Sequence, residues 1–161
     1  MADRNRGHMV AQLKKATDTA TADTATTLGV SFRCDTAQLK RATALLVRIA
    51  DRKSTMPMLA NAMIRTDDEG TTLSATDLNV SVSIRTSWIG RPGAWVLPAK
   101  AFADTVKGFG GAGTDLGRDG ALGVSLKSGS AAVTLIGMAD RDYPKLPSKT
   151  DLAWHTCDAA T

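Results

Sequence analysis

The hydrophobic and polar positions fall into short runs whose period changes between two and about 3.6 residues, the periods of a half-buried strand and of an amphipathic helix. Val30, Phe32 and Cys34 alternate with Ser31 and Arg33, which predicts a strand. Asp35 follows, able to accept from the open backbone donors of a helix start, with Gln38 in the third position of a capping box. Leu39, Ala42, Leu46 and Ile49 then recur at helical spacing, leaving Lys40, Arg41 and Arg48 facing away, and the helix is expected to stop before Pro57. Three strands are predicted next, over residues 59–66, 71–76 and 78–86, with a tight turn at 67–70. The third has the cleanest alternation, Leu78, Val80, Val82 and Ile84 against Asn79, Ser81, Ser83 and Arg85.

The order then repeats. Residues 93–97 read as a strand, Pro98 suits a first helical turn, and residues 99–109 form a helix carrying Phe102, Val106 and Phe109. Strands at 114–118, 121–127 and 130–137 follow, separated by Asp119-Gly120 and Ser128-Gly129. Two successive strand-helix-strand-strand-strand units predict a pseudo-symmetric α+β domain.

Residues 1–28 lack this periodicity, and the stretch 17–27 is almost entirely Thr, Ala and Asp, which reads as a flexible N-terminal extension. The chain of 161 residues is long enough for one domain with a core. Its net charge of +4 would help a polyanion to bind and equally suits an ordinary globular protein. Cys34 and Cys157 are far apart and suggest neither a disulfide framework nor a zinc set; with no membrane-length apolar run and no secretory leader, a cytoplasmic location is expected.

Chemistry is sparse. Residues 108–113 match the glycine spacing of a dinucleotide loop, but they follow a helix and precede a strand, so a helix C-cap and loop is the expectation. Asp67, Asp68 and Glu69 read as a solvated turn rather than a metal site, His8 and His155 have no catalytic companion, and no cofactor is expected. The basic residues say more. Lys40, Arg41, Arg48, Arg52 and Lys53 lie on or after the first helix and Lys100 and Lys107 on the second, a distribution compatible with a solubilising surface or with phosphate contacts.

The segments KSTMPML at 53–59, SATDL at 74–78, VLPAK at 96–100 and DYPKL at 142–146 together resemble the first domain of the bacterial sliding clamp, the DNA polymerase III beta subunit, over about residues 29–147. That resemblance implies a DNA-clamp fold and a non-catalytic processivity factor: helices line a ring around duplex DNA and tether the replicative polymerase. It implies polymerase III subunits and the clamp loader as partners of the intact protein, and self-association into a ring. By motif position Lys53 and Lys100 match DNA-facing residues, with Arg52 and Lys107 as neighbours on the same side. Residues 148–161 look like a linker and the opening of a second domain. The last strand, through Ser130, Ala132, Val133 and Leu135, corresponds to a subunit interface, yet the family's basic side chains there are missing, which puts ring closure through this edge in doubt. The rival expectation is a stand-alone clamp-fold adaptor that docks on replication proteins without encircling DNA; a nucleotide-using enzyme built on the glycine stretch is a remote third.

Overall fold

The computed structural model describes residues 30–50, 53 and 55–146. The N-terminal extension, Arg52 and the segment from 147 onward lie outside the described residues. Along the chain come β1 (Val30–Asp35), α1 (Thr36–Ile49), a 3-10 turn (Pro57–Ala60), β2 (Asn61–Asp67), β3 (Gly70–Thr76) and β4 (Ser81–Thr86). The second unit is β5 (Gly93–Pro98), α2 (Ala99–Gly108), β6 (Gly113–Asp119), β7 (Gly123–Ser128) and β8 (Ala131–Ile136), followed by a short 3-10 turn (Asp140–Asp142). The paired α+β plan read from periodicity is the plan observed.

Each unit gives its first strand to the other. The two four-stranded sheets run β1-β6-β7-β8 and β4-β3-β2-β5, and all strand pairs are antiparallel. Both helices pack over one shared core in which Leu39, Leu46, Phe102 and Val106 meet Ile64, Leu73, Leu97, Leu116 and Leu126. Burying side chains of this size contributes roughly 1.5–3 kcal/mol each, the main term set against chain entropy. Phe32 stacks on Trp88, in the segment between β4 and β5, at 6.1 Å and tilts against Trp95 of β5 at 6.2 Å, joining β1 to the other sheet.

Helix α1 starts where expected, with the Asp35 carboxylate accepting from the Gln38 amide at 2.8 Å. The reciprocal half of the capping box is not made; the Gln38 side chain instead accepts from Trp88 Nε1 at 3.3 Å. Ile49 is only half-buried, and Thr43 takes a core position by donating its hydroxyl to the Leu39 carbonyl. Residues 57–60 form a 3-10 turn rather than the start of β2, because Pro57 offers no amide to a ladder and Asn61 Nδ2 donates to the Pro57 carbonyl at 2.8 Å. Pro98 closes β5, opposite Asn61, rather than entering α2.

The largest departure is at the third predicted strand, which begins at Ser81 and not at residue 78. The Asp77 carboxylate accepts from the amides of Asn79 and Val80, and this local bonding outcompetes a ladder. Leu78 is left exposed with φ of 75°. From Val82 onward the expected alternation holds.

After β8 the chain crosses to the second sheet. The Gly137 amide donates to Leu122 and the Met138 amide to Val96; a Cβ at Gly137 would stand 1.9 Å from the Val96 carbonyl oxygen, so no side chain fits at the crossing. Met138 and Tyr143 then cover Met63 and Val96 in a small second core.

Two outcomes follow for stability. Leu78→Asn, which tolerates a left-handed backbone, should raise stability by about 0.5–1 kcal/mol in urea unfolding; a lower midpoint would mean that the leucine side chain stabilises the turn. Burial pushes the Cys34 thiol up to about 12, with Asp115 and Asp35 adding to it, and burial also pushes the Tyr143 phenol up to about 12. Both neutral forms are favoured in the fold, so their contribution is complete below the unfolded values near 9 and 10 and is lost as pH rises toward 12. Tyr143→Phe should flatten the loss of urea midpoint between pH 10 and 12.

Candidate nucleic-acid interface

The exchange of first strands brings α1 and α2 side by side, and the joint between them is polar. The Thr36 amide at the start of α1 donates to the Ala112 carbonyl in the loop after α2 at 2.9 Å, and the Thr36 and Thr114 hydroxyls bond at 2.8 Å. Lys40 reaches across and donates from Nζ to the Phe109 carbonyl at 2.7 Å. That carbonyl caps the negative end of α2, where a cation is favoured. Lys40 is therefore a strut between the helices rather than a free surface charge. It lines a cleft of about 140 Å³ with Thr43 and Ala44 of α1 and Ala103, Asp104 and Lys107 of α2.

On α2, Lys100, Asp104 and Lys107 are spaced i, i+4 and i+7 and share one exposed stripe. Lys100 Nζ pairs with Asp104 at 2.7 Å, both side chains more than half exposed, so this ion pair screens Lys100 without burying it. Lys107 stands exposed in the last turn, where the helix dipole favours it. Lys53 is exposed in the segment between α1 and the 3-10 turn. Lys100 and Lys107 thus come together on one stripe, Lys53 belongs to another segment, and Arg52 lies outside the described residues. Asp104 was missed in the sequence, although its i+4 spacing from Lys100 carried the signal.

The glycine stretch has the geometry of a helix end. The Phe109 amide bonds back to Val106, and the loop offers α1 the Ala112 carbonyl. A Cβ at Gly111 would stand 2.7 Å from Ser128 Oγ and 3.2 Å from the Gly129 amide nitrogen, so the close approach made here is to the β7–β8 turn. Asp67 and Glu69 are occupied by Arg85 at 3.1 and 3.0 Å, and no metal-binding group of His, Cys, Asp and Glu occurs among the described residues. No helix among them is long and apolar enough to cross a membrane.

The strut makes a checkable claim. Lys40→Met keeps the aliphatic stem but removes the ammonium, and it should lower stability by about 1 kcal/mol in urea unfolding; an unchanged midpoint would remove Lys40 from the helix joint.

Comparison with known proteins agrees with this architecture. Residues 30–147 match the family described as DNA polymerase III beta subunit, N-terminal domain. The chain is 28% identical over 104 residues to a beta sliding clamp of Halalkalibacterium halodurans, covering 59% of this chain and 27% of that protein. It is 28% identical over 117 residues to a beta sliding clamp of Synechococcus elongatus, covering 71% and 31%. Among solved structures, the beta subunit from the DNA polymerase of Streptococcus pyogenes superposes with a TM-score of 0.68 at 24% identity, covering 74% of this chain and 33% of that one. The DNA polymerase III beta subunit of Thermotoga maritima gives 0.69 at 22% identity, covering 73% and 32%. The matches span about a third or less of each relative's length. On the family match over residues 30–147, with the same fold in these neighbours, the chain belongs to the DNA polymerase III beta subunit family through its N-terminal domain.

Proposed function

We propose that this chain is a DNA replication processivity domain: part of a sliding clamp that holds duplex DNA through sequence-independent backbone contacts and tethers DNA polymerase III. It acts without catalysis, in the cytoplasm. On this reading residues 29–147 are the clamp domain, 1–28 an extension, and 148–161 a linker leading into a second domain. Duplex DNA is the direct partner, polymerase III subunits and the clamp loader are partners of the longer assembly, and β8 is an assembly edge through Ser130, Ala132, Val133 and Leu135.

The observation that carries the reading is the α2 stripe beside the helix joint, with Lys100 partly screened by Asp104 and Lys107 exposed. Such a face has few cations and no base-reading device. It suits contacts to phosphate that hold a duplex yet let it move, since each phosphate neutralised adds a modest, salt-sensitive increment. Lys53, and Arg52 beside it, extend the same role beyond α1.

Fluorescence anisotropy of a labelled duplex, titrated across salt, tests this. Binding should be weak, equal for unrelated sequences and steeply salt-dependent. Lys107→Ala and Lys100→Ala should each reduce the slope of log affinity against log salt by about 0.9. Asp104→Asn should strengthen binding by unmasking Lys100. Salt-independent binding, or slopes unmoved by both lysine variants, would remove α2 from the DNA interface.

A further inference from the structure

Where the two sheets meet beside the β6–β7 turn they leave a cavity of about 100 Å³. Trp95 and Val96 of β5, both buried, form its floor. Its rim carries Arg118 at the end of β6, Leu122 in the turn, and Met138 and Asp140 from the chain after β8. The crossing after β8 fixes these walls against one another, since the Gly137 amide bonds Leu122 on one sheet and the Met138 amide bonds Val96 on the other. The space is therefore framed by both sheets.

Its polar groups are uncommitted. Trp95 is only 7% exposed, yet its Nε1 has no hydrogen-bond partner, which is true of no other buried side-chain nitrogen or oxygen among the described residues. An indole N–H can only donate, and a buried donor left unpaired is costly. The other described indole shows the usual outcome, with Trp88 Nε1 donating to Gln38. The exposed Arg118 and Asp140 side chains likewise make no ion pair or hydrogen bond among the described residues. One unpaired donor at the floor thus stands below one cation and one anion at the rim.

We propose that this cavity binds a primary carboxamide, carried by a small neutral molecule. Its carbonyl oxygen accepts from Trp95 Nε1 at the floor, with the Arg118 guanidinium as a second donor, and its amide nitrogen donates to the Asp140 carboxylate. The carbon end lies against Leu122 and Met138. Charge decides among the small polar ligands. Arg118 and Asp140 balance, so an anion gains from one, is repelled by the other, and must shed its hydration to reach Trp95. A cation is drawn to Asp140 but offers the indole no acceptor. A carboxamide carries acceptor and donor on one carbon with no net charge, and so meets all three groups. The volume is about the share of three water molecules in the liquid, enough for such a group. None of the α2 residues takes part, so the site is separate from the DNA contacts.

The full chain has three tryptophans and so gives three indole N–H signals in a nitrogen-15 correlation spectrum. Titrated with acetamide, the Trp95 signal should move downfield and saturate while those of Trp88 and Trp154 stay in place. Acetate should bind more weakly than acetamide. Arg118→Met should weaken acetamide about tenfold, as expected for losing a hydrogen bond from a charged donor. Asp140→Asn should also weaken acetamide, and it should bring acetate level with it or above. No saturable movement of the Trp95 signal, as when solvent alone fills the cavity, overturns the proposal. So does equal movement of all three indoles, acetate binding tighter than acetamide to the wild type, or an Arg118→Met variant that binds as the wild type does. If Arg118→Met fails to fold, the wild-type contrast between acetamide and acetate decides alone. All of this is read without DNA, so failure here is distinct from failure of the α2 contacts, which the salt slopes report.

Discussion

The exchange of first strands is the constraint on which the rest depends. Strand β1 cannot pair until β6 exists, some 80 residues later in the chain, as the Cys34–Thr114 and Arg33–Asp115 partners show. Strand β5, in turn, completes the sheet of the first unit through β2. Neither unit can therefore close its own sheet and fold as an independent half. Since each exchanged strand leads directly into a helix, the same exchange sets α1 beside α2 and directs both onto one core. The loop closure needed is entropically costly, and its cost is offset only once the shared core forms, which favours all-or-none folding.

Sequence pattern carried most of the elements because period and turn chemistry are local. The capped start of α1, the β2–β3 and β7–β8 hairpins and the repeat of the two units needed nothing beyond neighbouring residues. The third strand failed at residues 78–80 for an equally local reason: Asp77 bonds two amides ahead of it, and alternation alone cannot register a carboxylate that captures the backbone. What could not be read was which strand lies beside which. Periodicity assigns a residue to a face, and the exchange of β1 and β5 changes neighbours without changing faces.

The candidate site divides in the same way. Lys100 and Lys107 share a helix, so their common stripe followed from spacing, and Asp104 could have been found by the same rule. Lys40 differs. Its partner is a carbonyl on α2, which only the tertiary exchange brings within reach, so counting it among surface cations overstated the charge available to a ligand. The fold holds one lysine as a strut and shields another with a carboxylate. Under the proposed function, the weak field that remains suits a contact that slides, because a strongly basic helix face would hold duplex DNA too tightly for a clamp to move along it.

The two exposed edges, at β4 and β8, differ in character, and the chain after β8 runs over the sheet that carries one of them. Met138 closes the β5 edge, and Tyr143 then lies over the outer face of the second sheet, its hydroxyl near the carbonyls of Asn61 on β2 and Ser74 on β3. In the order β4-β3-β2-β5 the chain is thus travelling from β5 toward β4. At the β4 edge, Arg85 and its carboxylates keep the strand hydrated. Strand β8 lies on the other sheet, off this path, with nothing of its own chain among the described residues directed over it. Charge on one exposed edge and its absence on the other give the two edges different capacities: a hydrated, ion-paired edge resists pairing with a further strand, whereas an uncharged, regular one does not.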